Sequence, residues 1–190
     1  MTEPKRAVYF VTENRNKYVE AARIAASFGV IMRHLKLRKQ EIQSQKLSDI
    51  ASFAAKQAAE STRKSIVVED AGFSVRALSG FPGPYSSYVF DTLGWEGILR
   101  LLYSAKNREA LFEAVVAYCE PSHRPMCFAG SVKGTVTRRA KGSNGFGFDP
   151  IFVPRGNRRT FAEMTPEVKN LYSHRAKAFT KFCKWFASRQ

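Results

Sequence analysis

The chain has 190 residues, 44% of them hydrophobic and 13% aromatic, which describes a globular domain with a real core and excludes a disordered polymer. Lysines and arginines number 31 against 16 acids, a formal charge of +15, so a polyanionic partner is expected: a nucleotide, a nucleic acid or an anionic surface. No apolar run is long enough to span a bilayer and residues 1–5 carry no secretory pattern; three cysteines without metal-type spacing read as reduced thiols of a cytosolic protein.

Residues 7–11 (AVYFV) read as the first strand, followed by a polar loop, Thr12 to Lys17. A helix over 17–28 follows, with Val19, Ala22, Ile24, Ala26 and Phe28 as its apolar set and Gly29 as its stop. Strand, polar loop and helix start make a good phosphate cradle, because loop amides and a helix N-terminus both favour an anion. The loop is not glycine-rich, so an ordinary Asx-type cap reads equally well. Residues 30–37 form the second strand, with His34 as a structural residue. Ser48 is the expected cap of a helix over 49–61, with Ile50, Phe53, Ala54 and Ala58 inward and Lys56 off that face.

The third strand, 66–68, is expected to end on Glu69 and Asp70, with a turn at Ala71-Gly72. Carboxylates at the end of a buried strand are costly unless water, a cation or a proton transfer uses them. The run GFPGPYSSY (80–88) reads as a rigid turn with Pro84 at the first position of a helix. Residues 95–104 read as an amphipathic helix that buries Trp95, Ile98, Leu99 and Leu102. Residues 110–119 and 126–136 read as an antiparallel hairpin on one edge of the sheet, with His123 exposed in its turn. Residues 142–150 (GSNGFGFDP) form a glycine-aromatic loop that lets the backbone approach a ligand and offers Phe146 to a flat base. Ser173 is the expected cap of a last helix reaching about 188, with His174 and Arg175 in its first turn.

The order of elements gives an α/β fold with a mixed, largely central sheet flanked by helices, and a single domain over 1–190. The basic residues are spread along the chain, and neither zinc-finger spacing nor an RNP-type aromatic motif accompanies them. A basic nucleic-acid-binding module therefore stays open as an alternative.

Five motifs then stand in one order: Thr12-x-Asn14-x-x-Lys17-x-x-Glu20, Val68-Glu69-Asp70, GFPGPYS (80–86), GFGFDP (145–150), and FAEM (161–164) with Lys169 and Ser173-His174-Arg175. Together they make the chain similar to the inosine/xanthosine triphosphate pyrophosphatases, also called Ham1-like, from Val8 to about Phe182. The resemblance implies two lobes with the active cleft between them and a homodimer. It implies hydrolysis of ITP, dITP or XTP to the monophosphate and pyrophosphate with Mg²⁺, cleansing the nucleotide pool in the cytoplasm, with no membrane and no requirement for nucleic acid.

By the same resemblance, Asp70 matches the catalytic base and a metal ligand, Glu41 a second metal ligand, and Glu69 a further acid near the metal. Thr12, Asn14, Lys17 and Lys56 match the triphosphate contacts. Ala71, Phe146, Gly147, Phe148, Asp149, Lys169, His174 and Arg175 match the base pocket. A related pyrophosphatase for other modified nucleotides is the remaining alternative. Arg175, a pure donor, is expected to choose purines with a 6-keto oxygen.

Overall fold

The computed structural model describes residues 7–40 and 42–189. Among these residues seven strands form one sheet in the order β2-β1-β3-β5-β6-β7, with β4 paired to β3 off that path. The strands are β1 (Ala7–Val11), β2 (Ile31–Leu35), β3 (Ile66–Val75), β4 (Pro82–Gly83), β5 (Glu109–Cys119), β6 (Met126–Val136) and β7 (Phe152–Pro154). Among the described residues the α-helices are α1 (Arg15–Ser27), α2 (Leu47–Thr62), α3 (Ser86–Leu101), α4 (Pro166–Tyr172) and α5 (His174–Ala187). β1 pairs in parallel with β2 and with β3, while β4 and β7 pair antiparallel with β3 and β6, so the sheet is mixed.

Two compact units divide the chain. The first comprises the described residues of Met1–Asp70, Ala114–Gly130 and Arg175–Gln190. Its α2 turns a row of alanines inward: Ala51, Ala54, Ala55, Ala58 and Ala59 pack with Val11, Ile66, Val68, Val115 and Ala117. Short side chains let the helix axis lie close to the strands, and the β-branched partners fill the remaining space. The second unit comprises Ala71–Glu113 and Ser131–His174. Its core is aromatic, with Phe73, Phe112, Phe148, Phe152 and Phe161 gathered around Ile98, Leu102 and Met164. Arg108, 9% exposed, ties this unit together by donating to the carbonyls of Leu102, Val136 and Thr137.

Several elements differ from the sequence expectation. β3 does not stop at Asp70 but runs on through Ala71-Gly72 to Val75, paired there with β4. The inward face of α1 is Glu20, Ala21, Ile24 and Ala25, with Val19 and Ala26 exposed, because a buried acid takes a place that an apolar pattern assigns elsewhere. The N-cap of α2 is Lys46 rather than Ser48, and Phe53 is only half-buried. Pro84 precedes the helix, whose N-cap is Tyr85. Helix α3 is broken at Gly94, whose φ of 64° suits a residue without Cβ. Ile98 and Leu102 beyond the break are fully buried as expected, with Trp95 and Leu99 packed against them. The β5–β6 hairpin is internal, since the three-residue β7 takes the edge. A short helix that the sequence reading lacks, α4, ends on Ser173, which stands directly before α5 as expected. Among the described residues no helix is long and apolar enough to cross a membrane.

Candidate functional site

In the first unit the chain leaves β1 through Thr12 and enters α1. Thr12 is 3% exposed, and its Oγ1 accepts the Asn14 N–H at 3.1 Å. Asn14 caps the helix: its Oδ1 accepts the N–H groups of Asn16 at 3.0 Å and Lys17 at 3.2 Å. The Asx-type cap is therefore present, and it fixes the direction of the first turn that carries Lys17.

Helical spacing puts Lys17 and Glu20 on one face of α1. Lys17 Nζ lies 2.8 Å from Glu69 Oε2. Arg175 Nε donates to Glu69 Oε1 at 3.0 Å, and its Nη1 donates to Glu20 Oε2 at 2.7 Å. The four side chains form a ladder of alternating sign, Glu20–Arg175–Glu69–Lys17, with no net charge. Glu69 and Arg175 are 1% and 2% exposed, and charges so buried persist only when they are paired and hydrogen-bonded. Four elements converge on this ladder: α1, β3 and α5 supply the charges, and β1 positions the loop. Sequence reasoning named Arg175 as a base-reading donor and did not see its carboxylate partners. The i,i+3 spacing of Lys17 and Glu20 on an otherwise apolar face was the available signal.

Asp70 follows Glu69 on the same unbroken strand and is half-buried. Adjacent residues on a strand leave it on opposite faces, so the two acids are separated in environment although neighbours in sequence. Lys56 is exposed on α2, near enough to the Cys119 thiol to oppose the rise that burial imposes on it. Burial likewise pushes Cys183 up to about 12, so both thiols are protonated and poor nucleophiles at neutral pH. Glu41 lies outside the described residues. Among the described residues, no group of three or more His, Cys, Asp and Glu could hold a metal by itself. Mg²⁺ does not ask for one, because it binds through one or two carboxylates, substrate phosphates and retained waters. A half-exposed Asp70 fits that donor set.

In the second unit the 142–149 loop is held from inside. Asp149 Oδ2 accepts the Phe146 N–H at 2.8 Å and the Lys169 ammonium at 2.7 Å. Asp149 and Lys169 are both 3% exposed. Lys169 Nζ also lies 5.0 Å from the centre of the Phe146 ring, a cation–π distance. Gly145 turns the loop at φ +77°, and a Cβ there would overlap the Asp149 carboxylate. Phe146 and Gly147 are half-buried, as is Ala71 on β3. Phe148 differs from expectation: it is 3% exposed and stacks on Phe73 at 4.9 Å, so its ring belongs to the core and only its main chain is on offer to a ligand. The His174 ring stacks on Phe112 at 4.6 Å, nearly parallel.

The first unit thus supplies a capped strand-to-helix loop bearing a tethered lysine and two consecutive acids on β3, and the second a braced aromatic loop. The fold that carries them is an α/β protein with a mixed sheet. The profile of the Ham1 family matches residues 8–185, and the chain belongs to that family. It is 48% identical over 179 residues to a protein of Methanopyrus kandleri named dITP/XTP pyrophosphatase, covering 94% of this chain and 95% of that one. A Hyperthermus butylicus protein of the same name is 43% identical over 180 residues, covering 95% and 94%. The solved structure of a HAM1 protein from Coxiella burnetii matches with a TM-score of 0.85 at 26% identity, covering 96% of this chain and all of that one.

Proposed function

We propose that this protein hydrolyses aberrant purine nucleoside triphosphates, ITP, dITP and XTP, to the monophosphate and pyrophosphate, acting as a single catalytic domain. The observation that carries the reading is the buried ladder that fixes Lys17 beside Glu69, one residue from Asp70, in a chain of the Ham1 family.

Each residue then has a task its chemistry suits. Lys17, preset by Glu69, meets the triphosphate without first losing the freedom of a long side chain. Asn14 uses Oδ1 on the helix amides and offers its Nδ2–H donors to a phosphate oxygen, while Thr12 holds the loop that carries both. Lys56 adds positive charge from α2. Asp70 orients the attacking water and takes its proton as attack on phosphorus proceeds. Glu69 serves as the counter-ion for Lys17 and Arg175, and Asp70 with Glu41 would hold Mg²⁺. The cation, when bound, neutralises the charge that develops on the phosphate chain. Phe146, held by Asp149 and Lys169, gives the base a flat platform, with the main chain around Ala71, Gly147 and Phe148 and the His174 side chain completing its surroundings.

Incubation with a nucleotide panel and Mg²⁺, followed by anion-exchange analysis of a single turnover, is expected to give inosine monophosphate and pyrophosphate from ITP. Inosine diphosphate as the main product would overturn the reaction assigned.

The reading includes a cytoplasmic homodimer and no use of nucleic acid or membrane. Exposed apolar side chains concentrate around α3: Phe81, Tyr85, Tyr88, Phe90, Leu93 and Leu101, with Tyr88 69% exposed. So large a group on one helix and its approach is the kind of surface a partner covers. Sedimentation at micromolar concentration is expected to give twice the 21.4 kDa chain mass, and a monomer alone would count against it.

A further inference from the structure

The sheet of the second unit has one covered and one open face. Phe73, Val75, Ala110, Phe112, Val132, Val136 and Phe152 turn into the core. Ser74, Glu109, Leu111, Lys133 and Thr135, their alternates along β3, β5 and β6, line a cleft of about 480 Å³ together with Arg76 and Arg155, which stand just past the ends of β3 and β7. None of these residues belongs to the machinery assigned above.

The charges in this cleft are not arranged as a neutral surface would be. Gly134 pairs with Pro154 across β6 and β7, and the Arg155 N–H donates to the Lys133 carbonyl at 2.9 Å. Continued one residue past β7, that register sets Arg155 opposite Lys133, and like charges directly opposite across a ladder are destabilising. Arg76 is the third cation, 2.7 Å from Glu109, which is the one carboxylate lining the cleft. Arg76 holds the Glu109 carboxyl below the usual carboxylate range, with Arg155 adding to the effect, so cations from two sides act on one acid. The lining carries three positive charges against one negative. Beneath them lie Val75, Ala110 and the backbone of Gly134, with Leu111 beside.

We propose that this open sheet face is a second anion site, which takes a phosphate chain between Lys133 and Arg155 with Arg76 as third ligand. The ligand class is a di- or triphosphate, free as pyrophosphate or carried on a nucleotide; two or more negative charges match the surplus of the lining. Glu109 acts as an internal competitor that the ligand displaces from Arg76. The site stands on its own geometry and does not depend on the hydrolytic reading.

Calorimetric titration tests it, with inorganic pyrophosphate and, separately, α,β-methylene-ITP. The proteins are the wild type, Lys133→Gln/Arg155→Gln, Glu109→Gln, Lys17→Gln and a control, Arg138→Gln/Arg139→Gln. Two classes of site are expected in the wild type. Lys133→Gln/Arg155→Gln should weaken one class by at least about tenfold, since two charge-assisted contacts are lost. It should melt no lower than wild type, because a like-charge pair is removed. Glu109→Gln should tighten that same class several-fold, and Lys17→Gln should leave it in place. Binding by the methylene analogue alone would identify the ligand as a nucleotide's phosphate tail; binding by both would identify the phosphate chain itself. Unchanged titrations in Lys133→Gln/Arg155→Gln, or an equal loss in the control, would overturn the proposal and leave the hydrolytic reading untouched. Binding wholly abolished by Lys17→Gln would do the same.

Discussion

Asp70→Asn is expected to lower kcat for ITP by at least about 100-fold, a barrier increase of about 2.7 kcal/mol, with little change in Tm. The substitution keeps size and shape but removes the proton acceptor and one anionic donor for Mg²⁺. Asp70 is half-buried and, as the next residue along the strand, leaves it on the face opposite Glu69. Its neighbour makes the contrast. Glu69 is 1% exposed and bonds both Lys17 and Arg175, so Glu69→Gln leaves two cations short of their shared anion. Breaking a buried pair this way costs about 3–5 kcal/mol, so that variant should lose stability as well as activity. Glu41→Gln should instead chiefly raise the Mg²⁺ concentration needed for half-maximal rate. Single-turnover rates and thermal melts for the three variants separate these outcomes. Near-normal turnover in Asp70→Asn would remove it as the base.

What the sequence made legible follows from which forces leave a pattern in it. The β-branched run at 66–68 is buried throughout, and at 7–11 Val8, Phe10 and Val11 are buried with Ala7 and Tyr9 half-buried, so coverage of the strands writes nearly continuous apolar runs. The alanine face of α2 is readable because burial there is purely apolar. The phase of α1 is not, because its inward face includes Glu20, and an apolar count treats an acid as surface. Arg175, 155 positions away, pairs with that acid inside. The extension of β3 through Ala71-Gly72 was hidden likewise: acids and a glycine read as a strand end, while the pairing that continues the strand comes from Phe73 and Ser74 against Gly83 and Pro82. In the candidate site, spacing alone gathered Thr12, Asn14 and Lys17 in one loop and Phe146 with Asp149 in another. The bonds that brace them, Glu69 to Lys17 and Lys169 to Asp149, join distant segments and leave no local trace.

Selectivity carries the largest expected effect: kcat/KM for ATP should fall about 10⁴-fold below that for ITP. Stacking on Phe146 gives any base affinity without choice, so choice has to come from donors at the polar edge. A 6-keto oxygen satisfies such donors, whereas the 6-amino group of adenine faces them donor to donor. XTP should therefore be a good substrate. GTP, which shares the keto oxygen, should be poor only where its 2-amino group meets a closed floor. The assigned reader is Arg175, and its two carboxylate bonds sharpen the test. Nε and Nη1 serve Glu69 and Glu20, so the side chain assigned to read the base is also an anchor of the ladder. Arg175→Ala then has two separable consequences. Losing the common partner of two acids should destabilise the protein by about 3–5 kcal/mol and depress turnover of every nucleotide, because Glu69 no longer presents Lys17 as before. Losing a base-reading donor should act on the ratio alone, drawing kcat/KM for ITP and ATP together. Rates for ITP, XTP, GTP and ATP, taken well below the melting temperature of the variant, distinguish the two. A uniform loss with the ITP/ATP ratio intact would confine Arg175 to holding Glu69 and Glu20 and move base selection to other residues. A wild type that turns over ATP within tenfold of ITP would remove 6-keto selection altogether.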